Sequence, residues 1–190
     1  MVAGASGSGK SRLARMAGDH VAQVSLDDFY RDHDHPGMPL SLGIPDWDDV
    51  ATWDLQAAME ALTALVHHDR AELPVYDISA SRRVGTREVD MADKQVVVAE
   101  GIFAPHAFLA AKQAGLPTQA IWLDRSRAAN FGRRLARDLK EHRKPPTLLL
   151  RRGIALYRTE RQLRAVALRT GFRPMGMRRA LEHLRALRSA

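Results

Sequence analysis

Apolar residues along this chain gather into short unbroken runs, and between the runs they recur at helical spacing. The segments HVAQVSL (20–26), KQVVVAEGIF (94–103) and TQAIWLD (118–124) are brief and apolar. Runs of that kind, bounded by polar residues, predict strands buried on both faces. WDLQAAMEALTALVHH (53–68) has helical periodicity instead, with Leu55, Met59, Leu62 and Val66 on one face. LPVYDISASRRVGTREVDM (73–91) reads as extended segments around a turn at Gly85. RDHDHPGMPLSLGIPDWDD (31–49) is dense in Pro, Gly, Asp and His, and predicts a long loop. Loops of that length are usually functional or disordered. From Arg125 onward the pattern is mostly helical. Leu149, Leu156 and Leu163 recur every seven residues, and Met177, Leu181 and Leu184 mark a last amphipathic helix. Strands alternating with helices predict an α/β fold, a doubly wound, mostly parallel sheet covered on both faces.

Composition narrows the class. The 190 residues, 45% hydrophobic and 27% charged, suit one domain with a substantial core. No apolar run approaches the roughly 20 residues of a membrane span. No basic-then-apolar leader is present, so a cytoplasmic protein without a membrane partner is expected. With no cysteine there is neither a disulfide framework nor a thiolate metal site. Charge is divided unevenly. From Arg125 to Ala190 there are 19 Lys and Arg against 4 Asp and Glu, a net of +15, and the first 124 residues carry −8. The basic half suits a polyanion or the phosphates of a nucleotide. No aromatic stacking surface accompanies it, so nucleic acid is not the expected partner.

Gly4 to Ser11, GASGSGKS, fits the phosphate-binding pattern G-x-x-x-x-G-K-[ST] at every defined position. Gly4, Gly7 and Gly9 let successive backbone N–H groups of the loop, through Ser6 and Ser8, face phosphate oxygens. The helix that follows, through Arg12, offers its N-terminus to negative charge. Lys10 is expected to reach the β- and γ-phosphates of ATP, and the Ser11 hydroxyl to ligate Mg²⁺. Only Met1, Val2 and Ala3 precede Gly4. Either the first strand is stunted or the natural chain begins further upstream, and a stunted strand is the expectation.

Asp27 and Asp28 in VSLDDFYRD follow the first apolar run. On an extended segment neighbours point in opposite directions, so the two are expected to do different jobs. Asp28 is assigned to local support. His33 and His35, with Asp32 and Asp34, read as a solvated loop.

The set SLDDFY, PDWDDVATWD, LPVYDISASRR, VVVAEGIF and RRLARD, in that order, resembles the uridine/cytidine kinase family of P-loop phosphotransferases. The resemblance runs from Gly4 to about Lys144. It implies a P-loop NTPase fold, with a small β-hairpin and an arginine-rich helical lid over about residues 125–145. A helical C-terminal region would follow over about 147–190, all in a single domain. It implies transfer of the γ-phosphoryl group of ATP, with Mg²⁺, to the 5′-hydroxyl of a pyrimidine nucleoside. By that resemblance Asp27 is the catalytic base near Mg²⁺, with Glu100 holding the metal. Tyr30, Trp47, Asp48, Tyr76 and Arg83 line the acceptor. The lid arginines Arg134 and Arg137 meet the substrate and the transferring phosphate.

The match departs from the family at several positions. Ser81 stands where the family carries a histidine against the pyrimidine, and Ile78 where an aromatic is common. His142 and Lys144 replace lid arginines, and the tail after Lys144 differs from the usual closing strand and loop. The acceptor is therefore also open to another alcohol with a ribose-like diol, as for phosphoribulokinase- or pantothenate kinase-like enzymes. A non-catalytic regulator that binds ATP or nucleic acid is the alternative of another class. The apolar faces of the C-terminal helices leave a homo-oligomer open as well.

Overall fold

The computed structural model describes residues 1–41, 43–126 and 161–187. Five parallel strands form its main sheet: β1 (Val2–Ala3), β2 (Val21–Ser25), β7 (Val96–Glu100), β8 (Ile121–Leu123) and β9 (Arg173–Met175). Their order is β2-β7-β1-β8-β9. The continuous apolar runs suit strands covered on both faces. Helices α1 (Lys10–Ala17) and α5 (Met177–Ala186) pack on one face with Val2, Val98, Ile121 and Leu123. Helices α2 (Leu55–His67) and α3 (Ala104–Gln113) pack on the other, around Val24, Leu62, Ala107 and Trp122. Helix α4 (161–169) joins that second core through Ala167. The expected α/β sheet, covered on both sides, is present.

The first strand is as short as expected, two residues long, yet it is central. Val2 pairs with Glu100 on one side and Ile121 on the other. A strand this brief holds its place because both neighbours pair with it and its side chains are sealed from water.

Four expectations need correcting. The face of α2 that meets the core is Ala58, Ala61, Leu62 and Leu65. Leu55 and Val66 are exposed, at 38% and 39%. Small alanines let this helix approach closely, so the buried stripe follows the alanines and not the largest residues.

The hairpin of β5 (Arg70–Asp77) and β6 (Arg82–Asp90) turns at residues 78–81, not at Gly85. Gly85 lies inside β6 opposite Val75, where the register shifts. The Asp77 carboxylate accepts the Ser79 and Ala80 N–H groups at 2.7 and 3.2 Å, and Ser81 takes a left-handed φ of 53°. That side-chain-to-backbone turn decides the reversal.

The loop after Tyr30 contains local structure: a two-stranded ribbon, β3 (Leu40–Ser41) with β4 (Ile44–Pro45), and a turn at Val50–Thr52 capped by Asp49. The C-terminal part is not wholly helical, because β9 adds the fifth strand beside β8. Arg173, Pro174 and Met175 lack an alternating pattern and gave no strand signal. The lid span, including Arg134 and Arg137, lies outside the described residues, as do His142, Lys144, Leu149 and Leu156.

The corrected face is open to test. Leu65→Ala should cost about 2–5 kcal/mol in urea unfolding, whereas Leu55→Ala should cost well under about 1 kcal/mol. Equal losses at the two positions would restore the face read from the periodicity.

Candidate active site

In parallel sheets of this kind, ligands bind beyond the carboxyl ends of the strands. Here three such ends meet. The P-loop leaves β1, a 3-10 turn over Leu26–Phe29 leaves β2, and Glu100 closes β7. Register sets the neighbourhood, because Glu100 pairs with Ser25 on one side and Val2 on the other.

The P-loop is drawn tight by contacts that leave no space for a side chain at its first glycine. A Cβ on Gly4 would lie 2.8 Å from Ser8 Oγ and 3.2 Å from the Leu123 carbonyl oxygen. Gly9, the cap of α1, has φ 94°, which side-chain-bearing residues rarely adopt. Lys10 is 8% exposed and folds back over the loop, with Nζ donating to the Gly4 and Ala5 carbonyls at 3.1 and 3.4 Å. The Ser11 hydroxyl donates to Glu100 Oε1 at 2.5 Å, and Glu100 is 4% exposed. Arg12 lies in the first turn of α1. It is exposed and reaches along α1 to Met16.

Asp27 stands beside this group. Its Oδ1 is sealed from water and has no hydrogen-bond partner among the described residues, while the rest of the side chain is half-buried. The Ile102 N–H donates to its carboxylate. Gly101 makes the approach possible, because a Cβ there would meet Asp27 Oδ1 at 2.9 Å and Leu26 Cβ at 2.8 Å. The pKa of Asp27 is pushed up to about 6, chiefly by burial and further by the charges of Glu100 and Asp28, against the pull of Lys10.

Asp28 is different in kind. It is half-buried, faces Arg87 of β6 at 3.7 Å and accepts the Tyr76 N–H. Its pKa is raised by burial and drawn back by Arg87. The two acids therefore diverge as expected, but for another reason than strand alternation. They lie on a tight helical turn, where successive side chains are about 120° apart.

A second group of predicted residues gathers as an aromatic wall. The ring of Tyr30 lies 5.4 Å from Trp47 and 5.7 Å from Tyr76, and Trp47 lies 6.3 Å from Tyr76. Phe103, which the sequence did not single out, stacks on Trp53 and closes against Tyr30 at 5.8 Å. The Tyr30 hydroxyl donates to the Trp47 carbonyl, and the Tyr76 hydroxyl to the Arg31 carbonyl. Burial, then the charge of Asp32, push the Tyr76 pKa up to about 12, so it stays a neutral donor. Asp48 follows Trp47 on the exposed side of the loop.

Arg83 ties the wall to α2. Its Nε donates to the Tyr30 carbonyl at 3.3 Å, and its Nη2 meets Asp54 at 3.4 Å. Asp32 accepts the Arg83 N–H at 2.7 Å, and His33 donates its N–H to the Ser81 carbonyl. The loop read as solvated is thus anchored to the hairpin. Arg31, Asp32, Asp54 and Arg83 line a polar cleft of about 410 Å³. Asp54, also the cap of α2, and Asp124, held by Arg164 at 2.8 Å, were missed. A strand-end position was the one available signal for Asp124.

The sequence profile of the phosphoribulokinase / uridine kinase family matches residues 44–144. The chain belongs to this family. It is a phosphotransferase with an alcohol group as acceptor. Uridine kinase of Shewanella amazonensis is 28% identical over 152 residues, which span 74% of this chain and 68% of that protein. Uridine kinase of Oceanobacillus iheyensis is 29% identical over 148 residues, 74% and 67% of the two chains. Among solved structures, one from Silicibacter sp. TM1040, described as a fructose transport system kinase, superposes with a TM-score of 0.61 at 23% identity. It covers 86% of this chain and 84% of its own, and the likeness is one of fold.

Because the folded pKa of Asp27 lies above its ordinary 3.8, stability is lost as pH rises through about 6. At about 1.4 kcal/mol per pH unit the penalty reaches about 3 kcal/mol, less what water on the exposed part of the side chain screens. Asp27→Asn should therefore stabilise the metal-free protein at pH 8 and lose that advantage near pH 4, by urea unfolding in chelator. A constant difference across this range would show that burial does not govern Asp27.

Proposed function

We propose that this protein transfers the γ-phosphoryl group of ATP, with Mg²⁺, to the 5′-hydroxyl of a pyrimidine nucleoside. The observation that carries the reading is the Asp27 carboxylate, whose Oδ1 has no partner among the described residues, beside the Lys10–Ser11–Glu100 cluster. The donor set fits the groups it would hold. Ser11, Asp27 and Glu100 offer hard oxygen ligands, the kind a Mg²⁺ ion takes. Ser8 Oγ, buried and without a partner among the described residues, lies in the cradle where phosphate oxygens would be received. The bound Mg²⁺·ATP supplies the phosphoryl group and the charge that activates it.

This chain's residues do the rest. The P-loop amides and Lys10 hold the phosphates by charge and orientation. Tyr30, Trp47 and Tyr76 hold the acceptor by ring contact, and Asp48 takes its diol. Asp27 takes the proton from the accepting hydroxyl as its oxygen bonds to phosphorus and the bond to ADP breaks. A base of this kind contributes typically 10²–10⁴-fold. Arg134 and Arg137 supply positive charge from the lid.

A second reading keeps the chemistry and changes the acceptor. Ser81 turns its hydroxyl to the Ile78 carbonyl, and Ile78 is 56% exposed. The hairpin tip's own residues thus offer neither an imidazole nor a packed aromatic to a base, although the His33 ring from the neighbouring loop lies 3.2 Å from the Ser81 carbonyl. This favours another alcohol carrying a ribose-like diol.

Substrate-dependent ADP release across nucleosides, phosphorylated sugars and pantothenate-like alcohols separates the two. Uridine or cytidine should be turned over fastest, and preference for a non-nucleoside would move the assignment to the second reading. Turnover by no alcohol, with steeply salt-dependent RNA or DNA binding, would overturn both. Asp27→Asn should keep ATP binding and lose roughly 10²-fold or more of turnover, while Asp28→Asn keeps most of it. The reverse order would place the base at Asp28.

A further inference from the structure

Two arginines on β6 reach back to the segment that carries Asp27. Arg83 and Arg87 are four residues apart, with the register shift of the hairpin between them. Arg83 lies opposite Tyr76 in the hairpin register and Arg87 opposite Leu73. Arg83 grips the far end of the turn, at the Tyr30 carbonyl and Asp54. Arg87 grips the near end, at Asp28. Asp28 also accepts the Tyr76 N–H, so one carboxylate holds both strands of the hairpin.

Ala71 and Leu73 of β5 are buried in the core with Leu26 and Phe29, and the remaining polar attachments of the hairpin among the described residues lie beyond Tyr30. They are Tyr76 to the Arg31 carbonyl, Asp32 to the Arg83 N–H, and His33 to the Ser81 carbonyl. At the Asp27 end, among the described residues, the polar contact is with Asp28. Arg87 and Asp28 keep 40% and 24% of their side chains exposed. Ion pairs this accessible add little to overall stability. What the pair sets is a distance, because Asp28 is bonded in sequence to Asp27 and held to the strand that carries Tyr76.

We propose that Asp28 and Arg87 are positioning residues that fix the β5–β6 hairpin, and Tyr76 with it, against the Asp27 turn. The inference rests on the reading of Tyr30 and Tyr76 as the acceptor wall. Without the pair the part of β5 beyond the buried Leu73, which carries Tyr76, loses its hold on the Asp27 turn. Tyr76 then drifts from the accepting hydroxyl, while the P-loop, on the other side of Asp27, is undisturbed.

The test combines kinetics with amide hydrogen exchange. With the fastest alcohol of the panel, Arg87→Ala should raise KM for the alcohol about tenfold, leaving KM for ATP and kcat within about twofold. Arg87→Lys should recover most of the loss. Asp28→Asn should act in the same direction, and the double variant should be no worse than Arg87→Ala alone. Exchange at the Tyr76 amide should accelerate in Arg87→Ala, with β2 and β7 unchanged and Tm within about 3 °C. Wild-type KM together with wild-type Tyr76 exchange would overturn the proposal. So would a parallel rise in both KM values with a lowered Tm, which marks a general structural role. The exchange measurement needs no substrate. If no alcohol is turned over, the acceptor reading fails, and the pair stands or falls on Tyr76 exchange.

Discussion

The Ser11 hydroxyl donates to the Glu100 carboxylate, joining the first turn of α1 to the end of β7 beneath the P-loop. A carboxyl group this buried needs polar partners, or its desolvation would cost several kcal/mol. Ser11 is one, and its place on α1 ties the helix to the sheet. Glu100 is also where the registers of β2 and β1 meet β7. That one residue therefore fixes where Asp27 and the phosphate cradle stand relative to each other. Gly101, next in sequence, completes the constraint by leaving the space that Asp27 fills.

Around that centre the molecule divides its labour by stiffness. The cradle side rests on the sheet, on buried strands and on α1 packed against α5, and even Gly9 is closely faced by Met177. The proposed acceptor side rests on a hairpin that joins the core through Ala71 and Leu73, and on a loop bound to it by a few polar contacts. Phosphates, alike for every triphosphate, suit a rigid receptor. An acceptor must be admitted and released, and an aromatic wall held by side-chain clasps can give way without unfolding the core.

The pairs and clusters differ in how visible they were beforehand. Lys10, Ser11 and Gly4 were legible because the spacing of a phosphate loop is local and each position has its own physical requirement. Asp27 and Glu100 were legible as acids at the ends of apolar runs. Tyr30, Trp47 and Tyr76 were named from a family pattern, and the fold draws their rings to within about 6 Å of one another. Arg87 and Asp54 gave no signal, because their partners lie 59 and 29 residues away in sequence and an exposed strand arginine looks like any solvated charge. The α2 face and the hairpin turn were misread for a related reason. Periodicity weighs large apolar residues over alanine, and a Gly attracts a turn assignment that an Asp side chain had already settled.

By itself the sequence determined the class of sheet, the phosphate cradle and the two acids at strand ends. These depend on runs and spacings within about ten residues, where chain geometry leaves few choices. Tertiary structure alone decided which acid keeps an oxygen without a partner among the described residues, which strand lies beside β8 and how the hairpin is held. Each of those is a contact between segments far apart in the chain. Asp27 and Asp28 are chemically identical, and only the glycine under one and the arginine across from the other make them different.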